Sequence, residues 1–179
     1  MPILRPRLRF RKILFPRLRK TKYVVVHHVA RRGRYSVQTI HQWHLNKKWA
    51  GIGYHYYVRK DGEIYQGRPR NRKGAHVNDK IHRYNSESIG VCFEGDFNTE
   101  EMGEKQLEAS IMLLCVLSLG YGNIEICRHK DLDKKTSCPD KNFPMETLCE
   151  RVEAQKQKFI DLHGDPKEVN YKFLLKLLD

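Results

Sequence analysis

A histidine and a cysteine with eight residues between them stand in the polar run Cys127-Arg128-His129-Lys130-Asp131-Leu132-Asp133-Lys134-Lys135-Thr136-Ser137-Cys138-Pro139. Imidazole nitrogen and thiolate sulfur are the donors that Zn²⁺ prefers, and a loop of this length lets both reach one ion. Two protein ligands are too few for a firm zinc site. The best source of a third lies about a hundred residues upstream, in Val24-Val25-Val26-His27-His28-Val29. If one histidine of that pair completes the set, the fourth tetrahedral position stays open, which is the signature of a catalytic zinc carrying an acidified water.

These donors need a scaffold. The β-branched run Tyr23 to Val29 predicts a buried strand, with His27 and His28 on opposite faces, so only one of them can serve a given site. Ser36 is a good N-cap for a helix from Val37 to about Lys47. On it His41 and His44 are spaced i, i+3, which could bind metal, although such residues on a short helix usually lie at a surface or rim. Tyr54 to Arg59 predicts a strand, and Lys60-Asp61-Gly62 before Glu63-Ile64-Tyr65 predicts a hairpin. Residues 67–87 have no clear period, and an irregular stretch of that length is often functional.

Ser88 to Glu94 reads as another strand. Asn98 or Thr99 should cap a helix running to about Leu119, with Glu100 and Glu101 near its positive end. Asn123 to Cys127 reads as a strand, and Phe143-Pro144 opens a helix to about Leu162. The order β, α, mostly β, α, β, α predicts an α/β protein with a mixed central β-sheet flanked by helices.

Composition narrows the partners. The 179 residues carry a net charge of +13, are 40% hydrophobic, and have a pI near 9.6. Residues 1–20 hold Arg5, Arg7, Arg9, Arg11, Lys12, Arg17, Arg19 and Lys20 and no acid, so more than half of the excess sits there. Such a field suits nucleic acid, an anionic membrane surface or an anionic cell-wall polymer. The segment reads equally as an adhesive arm or as a poorly ordered tail of solvated charge. The five cysteines show no disulfide framework. Ile111 to Leu119, the longest apolar stretch, is far short of the roughly 20 residues that span a bilayer. At the N-terminus Ile13-Leu14-Phe15 is too short for the apolar core of a signal peptide. No HExxH helix is present, which excludes that metalloprotease class.

Several spaced motifs occur in one order: Val26-His27-His28, Gly53-Tyr54-His55-Tyr56, His76, Tyr84-Asn85-Ser86-Glu87-Ser88-Ile89-Gly90-Val91, then His129 and Cys138-Pro139. This string resembles the zinc N-acetylmuramoyl-L-alanine amidases that share a fold with the peptidoglycan recognition proteins, including the small phage amidases. The resemblance covers roughly Lys22 to Leu162. It implies a zinc amidase domain of that fold at 22–163; outside it lie the basic N-terminal arm at 1–21 and a C-terminal helical tail at 164–179, where Val169, Phe173, Leu174 and Leu177 form an apolar stripe.

The resemblance also implies roles. His27, rather than His28, joins His129 and Cys138 around one Zn²⁺. Tyr54 matches the active-site tyrosine. Two residues before the cysteine ligand stands Thr136, as in the recognition-protein amidases, where the phage enzymes carry lysine. Cys138 argues against the cytoplasmic branch that acts on anhydro-muropeptides, which uses aspartate there. His55, His76, Tyr84 and Asn85 would line the substrate groove. The Tyr54 hydroxyl is a reasonable donor to the oxyanion formed at the amide, and Thr136 could orient the water or that oxyanion.

The expected function is hydrolysis of the amide between N-acetylmuramic acid and L-alanine in peptidoglycan. Two other classes are a non-catalytic peptidoglycan-binding module, against which the complete ligand set argues, and a nucleic-acid-binding protein using the arginine-rich arm. The latter has little aromatic interleaving, with only Phe10 and Phe15 in that segment, and does not need the metal ligands. Action at the bacterial cell wall is expected. The lack of a clear signal peptide points to cytoplasmic synthesis with holin-type release, as for a phage or prophage endolysin, or to non-standard export, as for an autolysin or sporulation enzyme.

Overall fold

The computed structural model describes residues 2–78, 81–122, 124–165 and 169–178. Its centre is the valine run: β2 (Tyr23–His28) pairs in parallel with β5 (Ser88–Phe93) on one side and β6 (Glu125–Arg128) on the other. β3 (Tyr56–Val58) and β4 (Ile64–Gln66) form the expected antiparallel hairpin, and β1 (Ile3–Leu4) adds in parallel to its outer edge. The sheet order is β1-β4-β3-β5-β2-β6. Strands buried on both faces read as continuous apolar runs, which is what β2 and β5 are. Asn123, expected to open the last strand, lies outside the described residues.

Helices cover both faces. Ser36 caps α1 (Val37–Asn46), its Oγ accepting the Thr39 N–H at 3.1 Å. α1 lays Val37 and Ile40 against Ile52, Tyr57 and Cys92 on one side of the sheet. On the other, α3 (Glu104–Tyr121) and α5 (Met145–His163) bury Leu107, Leu114, Leu117, Leu148 and Val152 against Val24, Val26, Ile89, Val91 and Phe93. Two single turns, α2 (Tyr84–Glu87) and α4 (His129–Leu132), complete the helices before the C-terminus.

Three expectations are corrected. The long helix starts at Glu104, behind Gly103, instead of after Asn98 or Thr99. Residues 96–100 close on themselves: the Asp96 carbonyl accepts the N–H groups of Thr99 and Glu100 at 2.9 Å, and Glu100 Oε1 accepts the Asp96 N–H at 2.7 Å. Lys60 holds the other Glu100 oxygen at 2.6 Å, which draws that acid to the hairpin and away from the helix end. In the tail, a 3-10 helix (Tyr171–Leu178) buries Tyr171, Leu174, Leu175 and Leu178 on α3, while Phe173 and Leu177 of the expected stripe stay exposed. Spacing i, i+3, i+4, i+7 selects that face. Finally, residues 2–21 are not set apart from the domain. Ile3 is buried in the main core, and the backbone of Arg17 bonds to Asn71 at 2.8 Å.

Gln106 of α3 is buried, and its Nε2 donates to the carbonyls of Val58 (3.0 Å) and Glu94 (2.9 Å), tying the helix to the ends of β3 and β5. Gln106→Ala removes the side-chain donor from both carbonyls, leaving Val58 O with only the Glu94 N–H (2.9 Å), and should destabilise the protein by about 1–3 kcal/mol. Urea unfolding measures this; an unchanged midpoint would remove the bond from the fold's support.

Candidate metal centre

Parallel strands deliver their carboxyl ends to one edge of the sheet, where ligand sites of α/β folds collect. His27 is the penultimate residue of β2 there, and His129 follows β6 directly. Alternation puts His27 on the face of Val25 and Cys92, and His28 on the opposite face, where it stacks on Phe97 at 5.9 Å. The Cys138 loop is tied back to α4 by the Lys130 N–H donating to the Cys138 carbonyl (3.0 Å). His28 holds it from below: Nδ1 accepts the Phe97 N–H (3.3 Å), so Nε2–H faces Asp140 at 3.1 Å.

The result brings one donor atom each of His27, His129 and Cys138 within 4.8 Å of one another. The chemistry of this set fits a zinc ion. His129 Nε2 is buried with no hydrogen-bond partner. Burial, ahead of the neighbouring histidines, holds His27 well below the usual imidazole range, and burial likewise lowers His129, so both offer neutral lone pairs. Burial pushes the Cys138 thiol up to about 12, so its thiolate needs a cation beside it. A second group, His28, Asp96 and Asp140, also lies within 4.8 Å. Both nitrogens of that histidine are already engaged, so it serves as a loop clamp.

Hydrogen bonds behind His27 set its tautomer. Sγ of Cys138 is 4.0 Å from His27 Nδ1, and His27 Nε2 is 3.0 Å from His76 Nδ1. If Nδ1 faces the ion, Nε2 carries the proton and donates to His76. His76 Nε2–H then faces Ser88 Oγ at 3.3 Å, and the Ser88 hydroxyl donates to the Tyr84 carbonyl at 2.6 Å. Every proton in this chain has one direction, as in the outer shell of metal-bound histidines. Room for His76 comes from Gly90, where a Cβ would lie 2.5 Å from the ring.

The other expected site residues divide. The Tyr54 ring is 5.1 Å from that of His27, its hydroxyl interacts with the Cys92 thiol, and burial keeps it protonated. Thr136 Oγ1 accepts the Cys138 N–H at 3.2 Å, which shapes the ligand loop and leaves the hydroxyl proton free to donate. Asn85 borders the cleft, but its side chain clasps the backbone of His76 and Val77. His55 is a correction: it is wholly buried, with Nδ1 accepting the Gly90 N–H (3.0 Å) and Nε2–H donating to the Arg72 carbonyl (2.9 Å), so no substrate can reach it. Tyr84 is half-buried and packs with Tyr23, Val25, Cys127 and the cleft-lining Val77. His41 and His44, read as a metal or rim pair, are buried. Their Nδ1 atoms accept the N–H groups of Ile52 (3.2 Å) and Gly53 (3.0 Å), bracing the turn before Tyr54.

A cavity of about 1060 Å³ opens beside His129 and His76. Sequence reasoning passed over Arg68 in its wall. This cation is buried, donates to the carbonyls of Ile52 and Lys73, and leaves Nη2 without a partner. Burial lowers it to about 10, so it stays charged at neutral pH. Nothing in the sequence marked it among the 34 lysines and arginines.

The family described as N-acetylmuramoyl-L-alanine amidase matches residues 17–141. An endolysin of Klebsiella phage KP32 is 32% identical over 149 residues, 79% of this chain and 94% of the relative. The fold resembles that of the N-acetylmuramoyl-L-alanine amidase LysC from Clostridium intestinale URNW, with a TM-score of 0.78, 34% identity, and 86% and 98% of the two chains covered. It also resembles peptidoglycan recognition proteins LCa and LCx in a complex with bound tracheal cytotoxin, at a TM-score of 0.70 and 30% identity over 80% of this chain and 92% of that one.

Burial depresses His44 to about 4 and His55 to about 3. In the unfolded chain both bind a proton near pH 6.5. Stability from keeping them neutral is therefore fully present above about pH 6.5 and is lost as pH falls through the folded values. The metal-free protein should show a melting temperature that is level from about pH 8 to 7 and falls steadily below about 6.5. A level profile down to about pH 4 would contradict the neutral, buried state of these rings.

Proposed function

This chain belongs to the N-acetylmuramoyl-L-alanine amidase family, and from that membership we propose how its own residues perform the reaction. The protein is a hydrolase of peptidoglycan and cleaves the amide between N-acetylmuramic acid and L-alanine. The family is zinc-dependent in general. In our reading His27, His129 and Cys138 hold one Zn²⁺ in this chain. The observation that carries it is the convergence of their three donor atoms within 4.8 Å at the end of the cleft. A zinc ion in that place supplies Lewis acidity and brings the pKa of water toward neutrality.

The chain's own groups do the rest. His76 keeps the His27 ring in the tautomer that presents Nδ1. Tyr54, held protonated by burial, donates its hydroxyl hydrogen to the oxyanion that develops on the amide carbonyl. Thr136 holds the Cys138 loop through its Oγ1, and its hydroxyl proton, which that bond does not use, is a second donor in our reading. A non-catalytic binding module would not need this complete set of donors. Related phage endolysins act on the cell wall, and no helix among the described residues is long and apolar enough to cross a membrane. Release through a holin, as for a phage-type lysin, belongs to this proposal.

Mass spectrometry of digested sacculi should find stem peptides with a free L-alanine amino group and an intact glycan; a different cut bond would refute the reading. Chelation should stop the release, and added zinc should restore it. Cys138→Ala should lose zinc and activity together, and tight zinc retained by that variant would rule Cys138 out as a ligand. Tyr54→Phe should keep its zinc and lower kcat by about a hundredfold; a full-rate variant would take the hydroxyl out of the chemistry.

A further inference from the structure

The N-terminal segment has a second feature besides its charge: it runs along the mouth of the catalytic cavity. Its backbone is fastened at short intervals. The Arg9 carbonyl accepts from His41 Nε2 (3.0 Å), and Arg11 N–H donates to Ala50 O (2.8 Å). The Phe15 carbonyl accepts from Lys73 N–H (2.8 Å), and Arg17 N–H donates to Asn71 O (2.8 Å). Between these ties the side chains are left in solvent, Ile13 at 89% exposure and Phe15 at 72%. Both line the cavity that His129 and His76 also line.

Two large apolar groups held on a pinned backbone in water need something to cover them, and continuity with the metal end says what. Among the described residues the cavity wall also carries Lys12, Lys48, Lys73 and Arg68 and no carboxylate. Of the two halves of the substrate, the glycan is uncharged along its backbone, while the stem peptide carries free carboxylates and alanyl methyl groups. Charge and apolar character together match the peptide half. An already ordered strap loses little entropy on contact.

We propose that residues 12–15 form the outer wall of the substrate cleft and grip the stem peptide, Lys12 facing its carboxylates and Ile13 and Phe15 covering its apolar groups. This rests on the amidase reaction taking place at the His129 end. It differs from adhesion of a basic arm to an anionic wall polymer, because the contact is made with the reacting molecule itself.

The test is steady-state kinetics of the full chain on a soluble N-acetylmuramoyl-pentapeptide, with lysis of purified sacculi in parallel. Ile13→Ser/Phe15→Ser should raise KM about tenfold on the soluble substrate with kcat within about twofold, the pattern of lost uniform binding. Lys12→Glu should raise KM several-fold, and added salt should shrink that effect. Leu18→Ser, on the same segment but outside the cavity wall, should match the parent. Melting temperatures should not move, since the altered side chains stand in solvent; if the double variant melts lower, Lys12→Glu alone decides. An unchanged KM on the soluble substrate overturns the proposal, also when sacculus lysis slows, for then the strap acts in wall adhesion. A parent chain that releases no peptide would overturn the amidase reading and this inference together, whereas strap variants equal to an active parent overturn the inference alone.

Discussion

The parallel register of β2 between β5 and β6 is the constraint on which the site depends. Val25 opposite Gly90 and Cys127, with His27 opposite Cys92, sends His27 toward the cleft and His28 toward Phe97. A slip of one residue would exchange the two histidines and reverse every side chain of the strand. Val24 and Val26, packed among Leu114, Leu117 and Val91, oppose that slip because it would bring Tyr23 and His27 into the largest apolar cluster. The core's packing therefore selects which histidine faces His129 and Cys138. The rejected one is still used, since His28 secures the Cys138 loop through Asp140.

Burying so many imidazoles is tolerable only if they stay neutral and bonded. His55, His41 and His44 achieve this with backbone partners, and His76 with His27 and Ser88. The exception is His129 Nε2, which is buried and unbonded where a cation would sit. The high pKa of the Cys138 thiol expresses the same need from the other side, because a cation is what makes the thiolate stable there. Loading the site with metal therefore displaces a proton, and the centre is favoured by rising pH.

The basic segment has a more definite place than its charge suggests. Arg17 reaches the Arg70 carbonyl and the Tyr121 hydroxyl, while Arg19 and Lys22 share Glu87. Ion pairs with such exposed partners contribute little individually. The backbone ties at Arg11, Phe15 and Arg17, with Ile3 in the core, are what hold the segment down. One stretch of chain thus extends the sheet at its start and edges the catalytic cavity further on.

The sequence by itself determined the α/β class, the strand at Tyr23–His28, the hairpin, the helix behind Ser36 and the donor types of the metal centre. These rest on local rules: β-branched runs, turn glycines, capping and the affinity of zinc for imidazole and thiolate. Periodicity could say that His27 and His28 face opposite ways, but not which face the ligand loop would meet. Position in the string of motifs supplied that choice by resemblance, and only the register against β5 and β6 supplied its cause. Tertiary structure alone decided that His55 is packed away, that His41 and His44 brace a turn, that Gln106 bridges two carbonyls, and that residues 12–15 border the cleft. Each of these depends on what a side chain meets from a segment distant in sequence. A histidine reads the same whether its partner will be a metal, a carbonyl or a substrate, so local chemistry names the candidates and the fold chooses among them.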